Sequence, residues 1–355
     1  MLVGDGLHLT YCTSIHPANG WEGVQESLHT HVPALKARLS PHAPFGLGLR
    51  LSGAESAELL EGDRLARFRE WLDAEGLYVF TLNAFPYGPF HGQPVKADVH
   101  APDWRSDERV AYTLRMADIL AALLPEGQRG TISTNPLSYR PWLDDDGWER
   151  CTANIVRVGE ALRGTPIALA IEPEADGALA DCADAIRWWP DELDREHVTV
   201  CFDACHAAVA YEDPAEVLDA LAEAGIRIGK AQLSAALRVA PAMREQLRQF
   251  ADPIYLHQVT QHEPPLTWPD LPDALDSKGG GDEWRVHFHV PIFVERYGAL
   301  ESTQDHLRAS IERVRGVTSH LEIETYTWDV LPRELKASPV DSIAREYEWV
   351  LDVLG

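Results

Sequence analysis

Val198-Thr-Val-Cys-Phe-Asp203-Ala-Cys-His206-Ala207 is a β-branched and aromatic run that ends on a carboxylate, with an imidazole three residues further on. A buried strand that closes on polar groups at its C-terminal end is how α/β barrels carry their chemistry. Taken alone, the D-x-x-H spacing is equally well explained by an aspartate capping the next helix in front of a satisfied histidine. The same punctuation recurs, however, in Ile167-Ala-Leu-Ala-Ile-Glu172-Pro-Glu174, Ile226-Arg-Ile-Gly-Lys230-Ala-Gln232 and Leu321-Glu-Ile-Glu324-Thr325. Glu172, Asp203 and Gln232 follow one another at intervals of about thirty residues, the length of one strand, one helix and two short loops. These polar groups are therefore expected on neighbouring strands at one rim.

Working outward, short apolar runs bounded by turn residues give eight expected strands, at residues 7–12, 45–51, 77–82, 130–134, 167–172, 198–203, 226–232 and 321–325. Helical patterns separate most of them, at 63–75, 107–124, 148–163, 179–189 and 213–224. Asp213-Pro214 is a strong helix start, a capping aspartate followed by proline in the first turn. Alternating strands and helices imply a parallel sheet covered on both faces, and eight repeats favour closure into a (β/α)8 TIM barrel. An open doubly wound sheet is the alternative, but no G-x-G-x-x-G turn or Walker A loop is present to support a nucleotide site. One domain over residues 1–355 is expected. Two further strand-like runs, 254–260 and 284–290, flank a turn-forming Gly279-Gly-Gly281-Asp282. They are read as a β excursion after the seventh strand, an insertion at about 250–295 lying over the barrel mouth.

Composition bounds the partners. With 56 acidic against 31 basic residues, the formal charge of −25 opposes binding to nucleic acid. Hydrophobic content of 45% is that of a soluble globular chain, and no run approaches the roughly 20 apolar residues that cross a bilayer. The start Met-Leu-Val-Gly-Asp-Gly lacks the basic region of a signal peptide, so the expected compartment is the cytoplasm. Five cysteines, several inside apolar runs, suit reduced core thiols. A homo-oligomer is left open.

Glu172 and Glu324 terminate apolar strands, where an uncompensated charge costs several kcal/mol, so a cation or hydrogen-bonding partner is expected beside each. Two glutamates flanking a metal can relay a proton across a bound polyol. Glu322 lies one layer deeper than Glu324, and Glu174 follows Glu172 past a proline, in structural or supporting positions. If Phe288 is packed, His287 and His289 point to the opposite face together, and His257 is placed to join them. Imidazoles suit Mn, Co, Zn or Fe; two surface histidines on a lid are the bland alternative. His16 follows the first strand, and His91 and Lys96 follow the third, in loops that mix aromatic walls with polar groups. Lys230 and Gln232 share one face of the seventh strand, the lysine serving either as a Schiff-base nucleophile or as the partner of a carboxylate.

The strand-five glutamate, strand-six D-x-x-H and strand-eight glutamate resemble the xylose isomerase-like barrel superfamily, which holds sugar isomerases, epimerases and metal-dependent abasic-site endonucleases. More closely, His8-Leu-Thr-Tyr-Cys-Thr-Ser-Ile-His-Pro17, Phe85-Pro-Tyr-Gly-Pro-Phe-His91, Cys201-Phe-Asp-Ala-Cys-His-Ala207, Lys230-Ala-Gln-Leu-Ser-Ala235, Tyr255-Leu-His-Gln258 and His287-Phe-His-Val-Pro-Ile-Phe293 resemble EboE-type "metabolite traffic" proteins, associated with cyclitol metabolism. The resemblance implies that Glu172, Asp203 and Glu324 are ligands of a divalent ion (Mn, Co, Zn or Mg), with His206 near the metal or the substrate. It also exposes a departure, since Gln232 stands where the isomerases usually offer histidine, so His289 or His257 is expected to complete the shell. The expected function is a metal-dependent isomerase or epimerase of a small sugar, sugar phosphate or cyclitol, with Glu172 and Glu324 moving the proton. His16, His91, His206, Lys230, Gln232, His257 and His287 are expected to bind substrate or support the ligands. A metal-dependent phosphoester hydrolase and a non-catalytic metabolite-handover protein are the alternatives.

Overall fold

A computed structural model describes residues 1–92, 94–332, 336 and 338–355. The expected barrel forms. Its parallel strands are β1 (Leu7–Tyr11), β2 (Phe45–Arg50), β3 (Leu77–Asn83), β4 (Gly130–Thr134), β5 (Ile167–Ile171), β6 (Val198–Asp203), β7 (Ile228–Leu233) and β8 (His320–Ile323). They pair in sequence from β2 round to β8, and β8 pairs with β1 through Leu321↔Leu9 and its neighbours. Between β1 and β2 the ladder thins to one parallel bridge, Cys12↔Gly48, supported by the Thr10 hydroxyl donating to the Gly46 carbonyl at 2.9 Å. Leu2–Val3 adds a short antiparallel strand to β1. Covered by helices outside and side chains inside, β2, β4 and β6 are buried along their whole length, which is why they read as continuous apolar runs rather than alternating ones.

Helix starts follow the local sequence. Ser52 and Glu55 form a reciprocal capping box. Asp213 accepts from the backbone of Ala215 and Glu216 ahead of Pro214.

A second, six-stranded antiparallel sheet departs from β7. In spatial order it runs Leu266–Trp268, Val259–Gln261, Trp284–Val286, Leu237–Val239, Leu300–Ser302 and Arg296–Tyr297. It begins earlier and ends later than 250–295. Strand geometry in the run 254–260 is confined to its end, and in the run 284–290 to its start. Both runs leave the ladder where their side chains turn toward the barrel.

Inside the barrel, Lys230 and Glu322 form an ion pair of 2.5 Å whose side chains are 0% and 1% exposed. Burial alone would lower the lysine's pKa, but the facing carboxylate holds it above the ordinary value. An ammonium kept charged this way is no Schiff-base nucleophile, so that reading of Lys230 is replaced by the carboxylate partnership. Gly48 makes room for the pair, because a Cβ there would sit 1.9 Å from Glu322 Oε1. Gly48→Ala is expected to destabilise the protein by about 1–3 kcal/mol in urea unfolding, with an unchanged m-value.

The interior also holds neutral histidines. Burial lowers the pKa of His16, His100 and His320 to about 3. Below the unfolded-state value of about 6.5 the unfolded chain gains protons that the folded one refuses. Stability is therefore complete above that value and falls as pH drops toward 3, by up to about 1.4 kcal/mol per pH unit per histidine. Chemical denaturation between pH 7 and 4 checks this, and His320→Asn should flatten the slope.

Candidate metal centre

Glu172 follows β5 directly, its amide donating to the Thr134 carbonyl at 2.9 Å, and Glu324 follows β8 with its amide on the Leu233 carbonyl at 3.2 Å. Asp203 is the last residue of β6. These three strand ends bring one oxygen each of Glu172, Asp203 and Glu324 within 4.8 Å of one another, all buried. The capping explanation of Asp203 holds for one of its oxygens. Oδ1 caps the following helix through the His206 amide at 2.9 Å and accepts from the Ser234 hydroxyl at 2.7 Å. Oδ2 is buried without a partner, as is Glu172 Oε2. Glu324 Oε1 accepts from the Asn83 amide at 2.9 Å, which fixes its plane. Burial pushes the Glu172 carboxyl well above the ordinary range, and the Glu324 and Asp203 charges push it further. Glu324 is raised by burial, then by Asp203 and Glu322. Orphaned carboxylate oxygens crowded in a dry site are a donor set that fits a divalent cation.

Beside the carboxylates stand three imidazoles. His206 Nδ1 faces the Pro173 carbonyl at 2.9 Å, His287 Nδ1 the Gln258 side-chain oxygen at 2.6 Å, and His289 Nδ1 the Glu324 carbonyl at 2.9 Å. Carbonyl oxygens only accept, so each Nδ1 carries a proton, and the neutral rings of His287 and His289 present Nε2 lone pairs. The Nε2 atoms run in a chain, His206 to His287 at 3.1 Å and His287 to His289 at 3.2 Å, and ligand atoms within 4.8 Å of one another are offered by Glu174, His206 and His287 and by Cys205, His287 and His289. Lone pairs facing at such distances repel unless a cation lies between them. Roughly 3.3 Å is the separation that bonds of about 2.0–2.1 Å at tetrahedral angles impose. Burial lowers His289 to about 4 and His287 well below its ordinary value, so both rings are neutral. Asp203, His206 and His289 also offer ligand atoms within 4.8 Å, joining the two donor sets. Phe288 is fully buried against Phe250, which turns His287 and His289 together toward the barrel although the strand stops at Val286.

Of the remaining expected residues, Gln232 accepts from the Cys201 thiol at 3.2 Å and its amide nitrogen is buried without a partner. His257 has both nitrogens engaged, Nδ1 with the His287 carbonyl at 2.9 Å and Nε2 with Asp252, so it supports the His287 backbone rather than offering a ligand atom. Lys230 lies beneath the carboxylates, paired with Glu322. His16 is not brought to them; it bonds the Tyr11 hydroxyl at 3.0 Å and stacks on His31 in a side recess. His91 stands between that recess and the cleft, on the Ser14 carbonyl at 2.6 Å and the Tyr255 hydroxyl at 3.0 Å.

The cleft above the centre has Glu172, Glu174, Glu324, His206 and His287 on its floor, with Asn83 and Tyr326 among its other lining residues. Sequence reasoning missed the parts of Asn83, Ser234 and Tyr326. Ser234 and Tyr326 lie two residues past Gln232 and Glu324, where period-two alternation was the available signal, and Asn83 directly follows the third expected strand. Two buried arginines that hold the β3 loop gave no such signal. Arg109 donates to the Ala84 and Phe85 carbonyls at 2.7 and 3.1 Å, and Arg50 to Pro86 and Gly88 at 3.0 and 2.5 Å.

The xylose isomerase-like TIM-barrel family model matches residues 44–276. No curated protein sequence matches the chain. A xylose isomerase-like TIM-barrel protein from Mycobacterium smegmatis in complex with magnesium is similar at 15% identity and TM-score 0.55, covering 98% of this chain and 96% of that one. D-allulose 3-epimerase from Methylomonas sp. in complex with D-allulose gives 11% and 0.54, covering 98% and 96%. The probable 3-DHS dehydratase involved in petrobactin synthesis from Bacillus anthracis gives 13% and 0.53, covering 98% of each chain. At these identities the likeness concerns the fold alone. No helix among the described residues is long and apolar enough to cross a membrane.

Two adjacent donor sets predict separable metal uptake. Elemental analysis after loading with Mn(II) or Zn(II) should show up to two ions per chain, Glu172→Gln and His287→Ala each lowering the count by about one.

Proposed function

The chain belongs to the xylose isomerase-like TIM-barrel family, and we propose that it is a metal-dependent isomerase or epimerase of a small polyol-type substrate, moving a proton between Glu172 and Glu324. The observation that carries this is the placement of two strand-end glutamates in one buried cluster with Asp203, both lining the cleft. Glu172, Asp203 and Glu324 would hold the ion, with the imidazole set of His206, His287 and His289 as a second site. A divalent ion there would supply positive charge to vicinal substrate oxygens and acidify the C–H beside them.

The protein's own groups do the rest. Without an ion, burial raises both Glu172 and Glu324, and the Glu324 charge adds to the rise of Glu172. A carboxylate raised in this way takes up a proton readily, the condition for removing one from a substrate and returning it elsewhere. Asn83 orients Glu324 for this transfer. D-allulose 3-epimerase, similar in fold, acts on a sugar, and the EboE-like motifs extend the proposal to cyclitols.

A second reading rests on the imidazole set. Two ions side by side suit in-line hydrolysis of a phosphoester, with each oxygen of the displacement met by positive charge.

Incubation with Mn(II) and a panel of ketoses and inososes in D2O distinguishes the two. Deuterium should enter the carbon next to the carbonyl, and Glu172→Gln and Glu324→Gln should each slow the exchange by about 10²–10⁴-fold. Phosphate release from phosphoesters without exchange would overturn the isomerase reading in favour of hydrolysis.

A further inference from the structure

The walls of the cleft differ in kind from its floor. Phe85, Phe90, Val95, Tyr255, Leu256 and Tyr326 line it above the carboxylates and imidazoles. Phe90, Tyr255 and Tyr326 come from the β3 loop, the excursion and the β8 loop, and pack with ring centroids 5.1–5.2 Å apart. They form one continuous aromatic face.

The amide and ammonium side chains on these walls are already engaged by the protein. Asn83 donates to Glu324 and accepts from the Phe85 amide at 3.0 Å. Gln258 donates to the Ala175 carbonyl at 3.0 Å and accepts from His287. The Lys96 ammonium is bound to Asp270 at 2.6 Å and to the Tyr255 carbonyl at 2.7 Å. Lys96 is the one lysine or arginine among the described lining residues, so no unengaged lysine or arginine faces the cleft. On the wall the Ser14 hydroxyl is left over.

We propose that the substrate is an uncharged amphiphile: a compact head of two or three vicinal oxygens that meets the floor, joined to an apolar or aromatic portion that packs against Phe90, Leu256 and Tyr326. The head's place rests on the proposed reaction; the apolar portion rests on the walls alone. A hexose would leave its distal hydroxyls facing carbon, and each unanswered hydroxyl costs about tenfold or more in affinity. A distal phosphate would meet ring faces and no free lysine or arginine. An apolar group gains from the same surface.

Isothermal titration of the Mn(II)-loaded and the chelated protein with glycerol, sn-glycerol 3-phosphate, D-fructose and 3-phenylpropane-1,2-diol tests this. The phenyl diol should bind at least about 30-fold more tightly than glycerol, and neither the phosphate ester nor the hexose should match it. Phe90→Ala should reduce that ratio to about threefold or less at unchanged metal content. Leu256→Asn, at a half-buried position, should reduce it too and guards against misfolding of the first variant. No gain from the phenyl group, or tighter binding of the phosphate ester or hexose, overturns the proposal. A protein that takes up no Mn(II) yet keeps the phenyl preference removes the metal-dependent reaction and leaves the pocket assignment standing.

Discussion

Negative charge concentrated in a dry place is the constraint around which this protein is arranged. Glu172, Asp203 and Glu324 are brought within 4.8 Å of one another at the barrel rim, nearly without solvent, and Glu322 lies one layer below. Carboxylates in such a place either keep protons or require cations. Lys230 is a fixed cation committed to Glu322, and so compensates the deeper layer. The upper layer has only partial answers: the Asn83 amide on Glu324, and the His206 amide and Ser234 hydroxyl on one oxygen of Asp203. Among the described residues, one oxygen of Glu172 and one of Asp203 remain without a partner, and a bound cation would satisfy them.

The second sheet is the counterpart of that rim. It leaves the barrel after β7, and beyond the strand Trp284–Val286 it returns His287 and His289 to the centre. Phe288 anchors this return in the core, and carbonyl acceptors on all three Nδ1 atoms fix the tautomers. The barrel thus provides hard oxygen donors and the excursion provides most of the nitrogen donors, with His206 belonging to the barrel but facing both. Division of donors between a scaffold and an added sheet makes the centre sensitive to how the two are held together. Part of that task falls to Lys96, which ties the β3 loop to the excursion through Asp270 and the Tyr255 carbonyl.

Much of the fold was legible because its signals are local. Eight apolar runs at regular spacing dictate eight strands, and the polar residues that close them, Glu172, Asp203 and Glu324, lie together at one rim. What was not legible depends on contacts between distant segments. Nothing near His257 reveals that Asp252 and the His287 carbonyl occupy both its nitrogens. His16 follows a barrel strand as expected, yet the turn Thr13–Ile15 carries it aside toward Tyr11 and His31. The excursion was underestimated because its strands Leu237–Val239 and Leu300–Ser302 are three residues each, too short for periodicity to register.

The central claim is that two cation sites lie side by side, one of carboxylates and one of imidazoles. Anomalous diffraction from crystals grown with Mn(II) or Zn(II) tests it most directly. The account predicts one peak among Glu172, Asp203 and Glu324 and a second among His206, His287 and His289. A map with neither peak, and with the three Nε2 atoms separated by ordered water, would contradict it.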